Sequence, residues 1–505
     1  MPESLFIRVI SGVLTTSGRR QYYTLKEDRK LERKNAWLSY KPQDEKKLEK
    51  LCDEYKDYLF NGKTEREGTK YIIEKAKAAG YISLDEAVKS GKKLKAGSKI
   101  YAVCMGKTVA LFNIGKKNLE EGINILGAHI DSPRLDVKQN PLYEDSDLAY
   151  LDTHYYGGIK KYQWVTLPLA IHGVVVKTDG TVIDVVVGED ESDPVFCVTD
   201  ILIHLAANQM EKKAAKAVEG EDLDLLIGSK PIIIDKKASA KKADGDEKKP
   251  GKGSLVTSKV LEILKAKYGF EEEDFMSAEL EIVPAGKPRD LGFDRSMILA
   301  YGQDDKVCAF TSLYAQLAVD KVEKTSCTLL VDKEEIGSVG ATGMQSKFFE
   351  NSLAEILELA GYNSNLSLRR CLANSNMLSS DVSAGYDPLY SANFEKKNAA
   401  YLGRGMVFNK FTGARGKSGS NDANAEYIGK LRGILEKNKV FYQTAELGKV
   451  DVGGGGTIAY ILSLYGMEVI DCGVAVLNMH APWEATSKAD IYETEKGYEA
   501  FLKEA

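Results

Sequence analysis

The seven cysteines, at positions 52, 104, 197, 308, 327, 371 and 472, include no Cys-x-x-Cys pair and form no cluster. An odd, scattered set in a long chain excludes a disulfide framework and reads as reduced structural thiols, so a cytoplasmic location is expected. Long apolar runs are also lacking. The stretch from Leu5 to Leu14 is interrupted by Arg8, has no basic leader or small-residue cleavage site, and is too short to span a bilayer. No export or membrane segment is therefore expected. Charge of one sign is missing too: a net charge of −5 and a pI of about 5.8 remove the general electrostatic case for nucleic acid. A small molecule or a peptide is the expected partner. No internal repeat is found.

What is present matches a soluble globular chain, with 43% hydrophobic and 28% charged residues. Length alone gives about three domains, and one or two large ones are also compatible. From Glu27 to about Gly80 the chain is charged and helical, with Leu48, Leu51, Cys52, Tyr55, Tyr58 and Leu59 on one face. Thr64 and Glu67 have capping-box spacing before a second helix containing Tyr71, Ile72 and Ile73. Short strands are predicted from Lys99 to Met105 and Thr108 to Asn113. The run from Ile123 to Asp131 is apolar on both faces, as in a parallel, doubly covered strand.

Between about Leu135 and Leu291 the pattern becomes alternating, with a hairpin turn at Asp179-Gly180. Within it, Lys236 to Gly253 is low-complexity and lysine-rich, and reads as a solvated loop. After Leu291, strands are predicted at Ser296 to Tyr301, Cys327 to Val331, Cys371 to Met377 and Glu468 to Leu477. Helices are predicted at Asp305 to Val319 and Ser487 to Lys503. The fold class is α/β: a mixed, largely parallel sheet covered by helices, formed by residues 1–134 and 292–505, with a β-rich insertion at 135–291.

Two adjacent glutamates close an apolar strand in Val331-Asp332-Lys333-Glu334-Glu335-Ile336-Gly337-Ser338. Buried like charges need a cation, because an unpaired buried carboxylate costs several kcal/mol. Other polar residues stand at strand ends as well: His129 and Asp131, Asp304 and Asp305, Asp381, and His480. Taken singly each has a plain structural explanation, a core histidine or a helix cap. Together, two histidines and at least three carboxylates match the ligand types of a two-metal hydrolase site. His129 and Asp131, two apart on a strand, face the same way, so Asp131 is placed to hold the ring by its second nitrogen. Glu334 and Glu335 converge only if the strand has already ended, since neighbours on a regular strand point to opposite faces.

The successive motifs Gly127-Ala128-His129-Ile130-Asp131-Ser132-Pro133, Gly302-Gln303-Asp304-Asp305-Lys306, Asp332 to Ser338, Ser380-Asp381 and Asn478-Met479-His480 resemble those of the aspartyl aminopeptidase and vacuolar aminopeptidase I family. The likeness runs from about Leu48 to the C-terminus. It implies a zinc-exopeptidase-like dinuclear metallopeptidase that removes N-terminal residues from peptides. His129 and Asp381 would bind one metal, Glu335 and His480 the other, and Asp304 would bridge them. A hydroxide would bridge the two metals with Glu334 as general base, and Asp131 would keep His129 in place. The resemblance further implies a cis Asp304-Asp305 peptide, an insertion that dimerises, dimers that build a tetrahedral dodecamer, and an insertion histidine that reaches a neighbour's site. His204 is the candidate for that histidine.

Mixed nitrogen and oxygen ligands suit two divalent ions per subunit, zinc by the resemblance, with cobalt and manganese also compatible. The run Val452-Gly453-Gly454-Gly455-Gly456-Thr457 lacks the Lys-Ser/Thr ending of a phosphate loop and reads as a substrate-pocket wall. Lys410 and Lys417 are candidates to face an acidic substrate side chain, against plain solvent exposure. Ligand types alone leave open a related dinuclear deacylase or carboxypeptidase, and an inactive shell-forming assembly protein.

Overall fold

Four apolar strands, Ser326–Val331, Asn124–His129, Asn376–Ser380 and Glu468–Gly473, lie side by side and parallel at the middle of a nine-stranded sheet. The computed structural model describes residues 34–233 and 254–505. The apolar run from Leu5 to Leu14, the first part of the N-terminal charged stretch and the lysine-rich run from Lys236 to Gly253 therefore lie outside the described residues.

Nearly every residue of the four strands is buried, which is why they read as continuous apolar runs. Side chains alternate between two cores. Ile125, Leu329 and Met377 pack on one face with Leu353 and Ile356, while Ala128 and Leu330 pack on the other with Tyr55, Tyr58 and Phe310. Thr108–Asn113 and Lys99–Cys104 extend the sheet antiparallel at one side, and Met406–Asn409 does so at the other. The sheet is thus mixed, with a parallel centre.

The helix Pro42–Asn61 buries Leu48, Cys52, Tyr55, Tyr58 and Leu59, the face its spacing predicts. The capping box is formed: Thr64 Oγ1 accepts from the Glu67 backbone N–H at 3.2 Å, and Glu67 Oε2 accepts from Thr64 N–H at 3.0 Å. Two predicted strands differ from the structure. Cys371 lies in the helix Asn365–Ala373, where Ser367 and Cys371 are four apart on its buried face, and the strand begins only at Asn376. The run from Glu468 to Leu477 divides at Val474 into Glu468–Gly473 and Ala475–Leu477, which belong to different sheets.

A second, seven-stranded sheet is antiparallel throughout, and all its strands fall between Arg134 and Pro284. A third, five-stranded sheet joins Arg289–Leu291 and Met297–Ala300 to Glu484–Ser487, Ala475–Leu477 and Ser383–Ala384. Lys63 ties the helical N-terminal region to the seven-stranded sheet. Its buried ammonium pairs with Glu189 and donates to the carbonyls of Pro284 at 2.8 Å and Gly286 at 3.0 Å. His172 stands between Glu67, at 2.8 Å, and the same Glu189, at 3.1 Å. Removing one partner of a buried pair strands the other's charge, so Lys63→Met is expected to cost about 3 kcal/mol. The midpoint of chemical denaturation is the measurement.

Candidate metal centre

The register of the central strands sets the site. Val331 is paired with His129, so the strand Asn124–His129 and the strand Ser326–Val331 stop at the same level. Beyond Val331 the backbone turns sharply: Lys333 takes a left-handed conformation at φ 69°, Glu334–Ile336 form a single 3-10 turn, and Gly337 closes it at φ 98°. The strand has therefore ended before the glutamates, and both side chains are free to turn to one side.

Asp131 fixes that turn. Its Oδ1 accepts from the Glu334 backbone N–H at 3.1 Å and its Oδ2 from the Glu335 N–H at 3.2 Å. Tyr156 Oη donates to the same Oδ2 at 2.8 Å. Asp131 also faces His129: Nδ1 of the ring lies 3.1 Å from the Asp131 carbonyl oxygen and 3.3 Å from Oδ1. Both neighbours are acceptors, so Nδ1 carries a proton, and Nε2 is the nitrogen available to a metal.

Asp304 and Asp305 open the helix Gln303–Ala318, and the peptide between them is cis. Asp381 follows directly on Asn376–Ser380, and its N–H donates to Cys472 O at 3.2 Å. His480 adopts φ 65° at the end of a loop after Ala475–Leu477. Glu484, four residues further on, accepts from the His480 N–H at 2.8 Å and from the Asp304 N–H at 3.0 Å. One buried carboxylate thus holds the backbone of two site residues together.

Asp304 is the centre of the cluster. Its Oδ1 lies 3.3 Å from His129 Nε2, and its Oδ2 lies 3.2 Å from His480 Nε2. Glu334 Oε2 is 3.9 Å from His129 Nε2, and Glu335 Oε2 is 3.7 Å from His480 Nε2. Ligand atoms of His129, Asp304 and Glu335 lie within 4.8 Å of one another, as do those of His129, Asp305 and Asp381. The structure therefore brings together His129, Asp131, Asp304, Glu334, Glu335, Asp381 and His480. It adds Asp305, whose Oδ2 accepts from the His129 N–H at 3.3 Å.

The donor set fits divalent cations. Among the described residues, Glu335 Oε1 and Asp305 Oδ1 are buried with no hydrogen-bond partner, an expensive arrangement for carboxylate oxygens. Burial and neighbouring carboxylates push the Glu334 carboxyl up to about 7 and raise those of Glu335, Asp305 and Asp381 well above the usual range. Burial lowers the His129 imidazole, but Asp131 and Asp304 overcome it and hold the ring well above its ordinary value. His480 is lifted to about 10, with Asp304 and Glu335 outweighing burial. Six carboxylates around two imidazoles carry surplus negative charge that metal ions would offset. Imidazole nitrogen and carboxylate oxygen without thiolate are donors shared by zinc, cobalt and manganese.

Three candidates stand apart from this cluster. His204 lies exposed on the 3-10 turn Ile203–Leu205. Lys410 and Lys417 are exposed and both pair with Asp422, Lys417 at 2.9 Å, so each already has a carboxylate partner. In the glycine-rich run, the close approach is to the chain's own backbone. A Cβ on Gly453 would meet Leu447 O at 1.8 Å, and one on Gly454 would meet Ala414 at 2.7 Å.

Sequence reading placed Asp305 at a strand end without giving it a role, and missed Tyr156 and Glu484 as parts of the site. Asp305 carried a signal in its adjacency to Asp304, and Glu484 a weaker one in its spacing from His480. Tyr156 carried none, since it comes from another sheet.

A family model described as "Aminopeptidase I zinc metalloprotease (M18)" matches residues 58–502. A probable M18 family aminopeptidase 1 of Clostridium acetobutylicum is 61% identical, over 93% of this chain and 98% of that protein. The crystal structure of aminopeptidase I from the same organism is similar with a TM-score of 0.80 at 58% identity, over 93% of this chain and 99% of that one. An M18 aminopeptidase from Thermotoga maritima gives a TM-score of 0.86 at 41% identity, over 94% of this chain and all of that one. The S. cerevisiae mApe1 dodecamer is 20% identical with a TM-score of 0.70, over 89% of this chain and 95% of that one, a likeness of fold alone.

Proposed function

Given that the chain belongs to the aminopeptidase I zinc metalloprotease (M18) family and is a metal-dependent aminopeptidase, we propose that it removes N-terminal residues from peptides at the cluster centred on Asp304. The observation that carries this is the pair of Asp304 oxygens, one 3.3 Å from His129 Nε2 and the other 3.2 Å from His480 Nε2. His129 and Asp381 would hold one divalent ion, Glu335 and His480 a second, and Asp304 would touch both. Zinc is the ion in the family's description. When bound, paired metals lower the pKa of the attacking water and stabilise negative charge on the carbonyl oxygen.

The remaining chemistry belongs to the chain. Glu334 is not among the ligands assigned, and its carboxylate lies beside His129 at the inner edge of the cluster. It takes the proton of the attacking water and passes it to the leaving amine. Asp131 holds the turn carrying Glu334 and Glu335, so base and ligand keep a fixed separation. His129 is aimed through its protonated Nδ1.

Further parts of the reading rest on likeness. The seven-stranded sheet region serves as a dimerisation unit, and dimers build a tetrahedral dodecamer; the yeast protein is named as a dodecamer. His204, exposed on its turn, reaches a neighbour's site. The enzyme is cytoplasmic and acts on peptides, with no nucleic-acid or membrane partner. Among the described residues no helix is long and apolar enough to cross a membrane.

A kinetic panel tests the assignment. Free aminoacyl substrates with acidic, basic and apolar N-terminal residues are assayed beside N-acetylated ones, with zinc, cobalt or manganese. Turnover is expected only with a free α-amine. Cleavage confined to blocked substrates would point to a deacylase, cleavage from the C-terminus to a carboxypeptidase, and no cleavage with any metal to an inactive shell protein.

A further inference from the structure

The strand Leu148–Tyr156 belongs to the seven-stranded sheet, yet the turn that follows it touches one imidazole of the metal centre, and Tyr156 reaches the other through Asp131. We propose that Tyr156, Gly157 and Gly158 form a positioning turn that sets the tautomer and the aim of His129 and His480 together. The inference rests on the metal-centre reading above.

At one end the Gly158 carbonyl lies 2.8 Å from His480 Nδ1. A carbonyl only accepts, so Nδ1 must carry a proton, and Nε2, facing Asp304 and Glu335, is the nitrogen available to a metal. His480 is about a third exposed, with 37% of its side chain accessible, so packing alone does not lock the ring. This hydrogen bond supplies the missing constraint. At the other end, Tyr156 Oη donates to Asp131 Oδ2 at 2.8 Å, and Asp131 in turn faces His129 Nδ1. Tyr156 is itself held: the Arg134 guanidinium stacks 3.9 Å from its ring centroid, and Arg134 pairs with Glu281 at 3.1 Å and Glu65 at 3.4 Å.

Gly157 lies between these two contacts at φ 75°, where an L side chain is strained, and a Cβ there would stand 3.1 Å from Glu335 Oε2. A Cβ on Gly158 would stand 3.4 Å from His480 Nδ1, an ordinary contact, whereas a branched side chain would push the ring. The turn thus passes directly behind two residues assigned as ligands. A sheet outside the one that carries the ligands decides how they point.

The test is zinc affinity of the full-length protein, measured by competition with a chromophoric chelator and paired with the thermal midpoint of the metal-free form. Partners that orient metal-bound histidines are worth roughly 10–100-fold in affinity. Tyr156→Phe and Gly158→Val are each expected to weaken zinc binding about tenfold or more with the metal-free midpoint unchanged, while Gly158→Ala and the exposed neighbour change Tyr155→Phe stay near wild type. If Gly158→Val does not fold, Tyr156→Phe, which adds no atoms, decides. Where affinity and metal-free midpoint fall together, the cobalt-loaded absorption spectrum decides: shifted d–d bands support the positioning role and an unaltered spectrum overturns it. Wild-type affinity in both variants sinks this inference alone, whereas wild-type protein that binds no zinc sinks the metal-centre reading beneath it.

Discussion

Glu334→Gln is expected to lower kcat about a thousandfold while zinc content and KM stay close to wild type. A positioned proton-transfer group supplies about 10²–10⁴-fold, and Glu334 is the carboxylate proposed for that work. Gln keeps the size of the side chain and its contact beside His129, but it cannot take a proton. The backbone N–H of residue 334 would still donate to Asp131, so the turn and its neighbour Glu335 should hold their places. The outcome therefore separates the two glutamates, which are adjacent in sequence and proposed to differ in role. Steady-state kinetics with a free aminoacyl substrate, with metal content measured on the same preparation, is the check. Turnover within tenfold of wild type would remove Glu334 from the mechanism.

Asp304→Asn is expected to abolish both metal retention and activity. Each Asp304 oxygen faces an imidazole Nε2, so the residue serves both ends of the site. An amide offers one neutral oxygen, and its NH₂ group would point at a nitrogen that is meant to face a cation. Zinc added to wild-type protein stabilises only the form that binds it, by about 4 kcal/mol at a thousandfold excess over the dissociation constant. The variant should show no such rise. Thermal unfolding of wild type and variant, each with and without zinc, reads the difference, and a zinc-dependent increase in the variant equal to that of wild type would displace Asp304 from the centre. Chelator-treated wild type should match the variant in both stability and inactivity.

Much of this site was legible because chemistry-bearing residues cluster at strand ends, and strands with both faces covered announce themselves as apolar runs. His129, Asp304, Glu335, Asp381 and His480 all belong to that pattern. The glutamate pair posed a conflict that pattern alone left unresolved, and the answer lay in the left-handed conformation of Lys333, a residue that does not advertise it. The partners behind the site were harder to find. Tyr156 comes from another sheet and Gly158 from the turn after it, and only tertiary packing brings them within hydrogen-bond reach. The misread strand at Cys371 has a different cause: a short apolar run is compatible with either period, and there the four-residue spacing of a helix prevailed. Lys410 and Lys417 were attractive as free cations, but Asp422, only a few residues away, pairs with both.

The proposed ligands and base enter the chain in the order 129, 304, 334, 335, 381 and 480, across strands that are neighbours in space. A nascent chain extended only as far as Asp381 holds one of the two imidazoles and no Glu484 to draw the Asp304 and His480 backbones together. On this reading peptide-cutting power arrives late in synthesis, after all four parallel strands of the central sheet. A ribosome carrying this chain is spared an active peptidase until His480 has emerged and folded back.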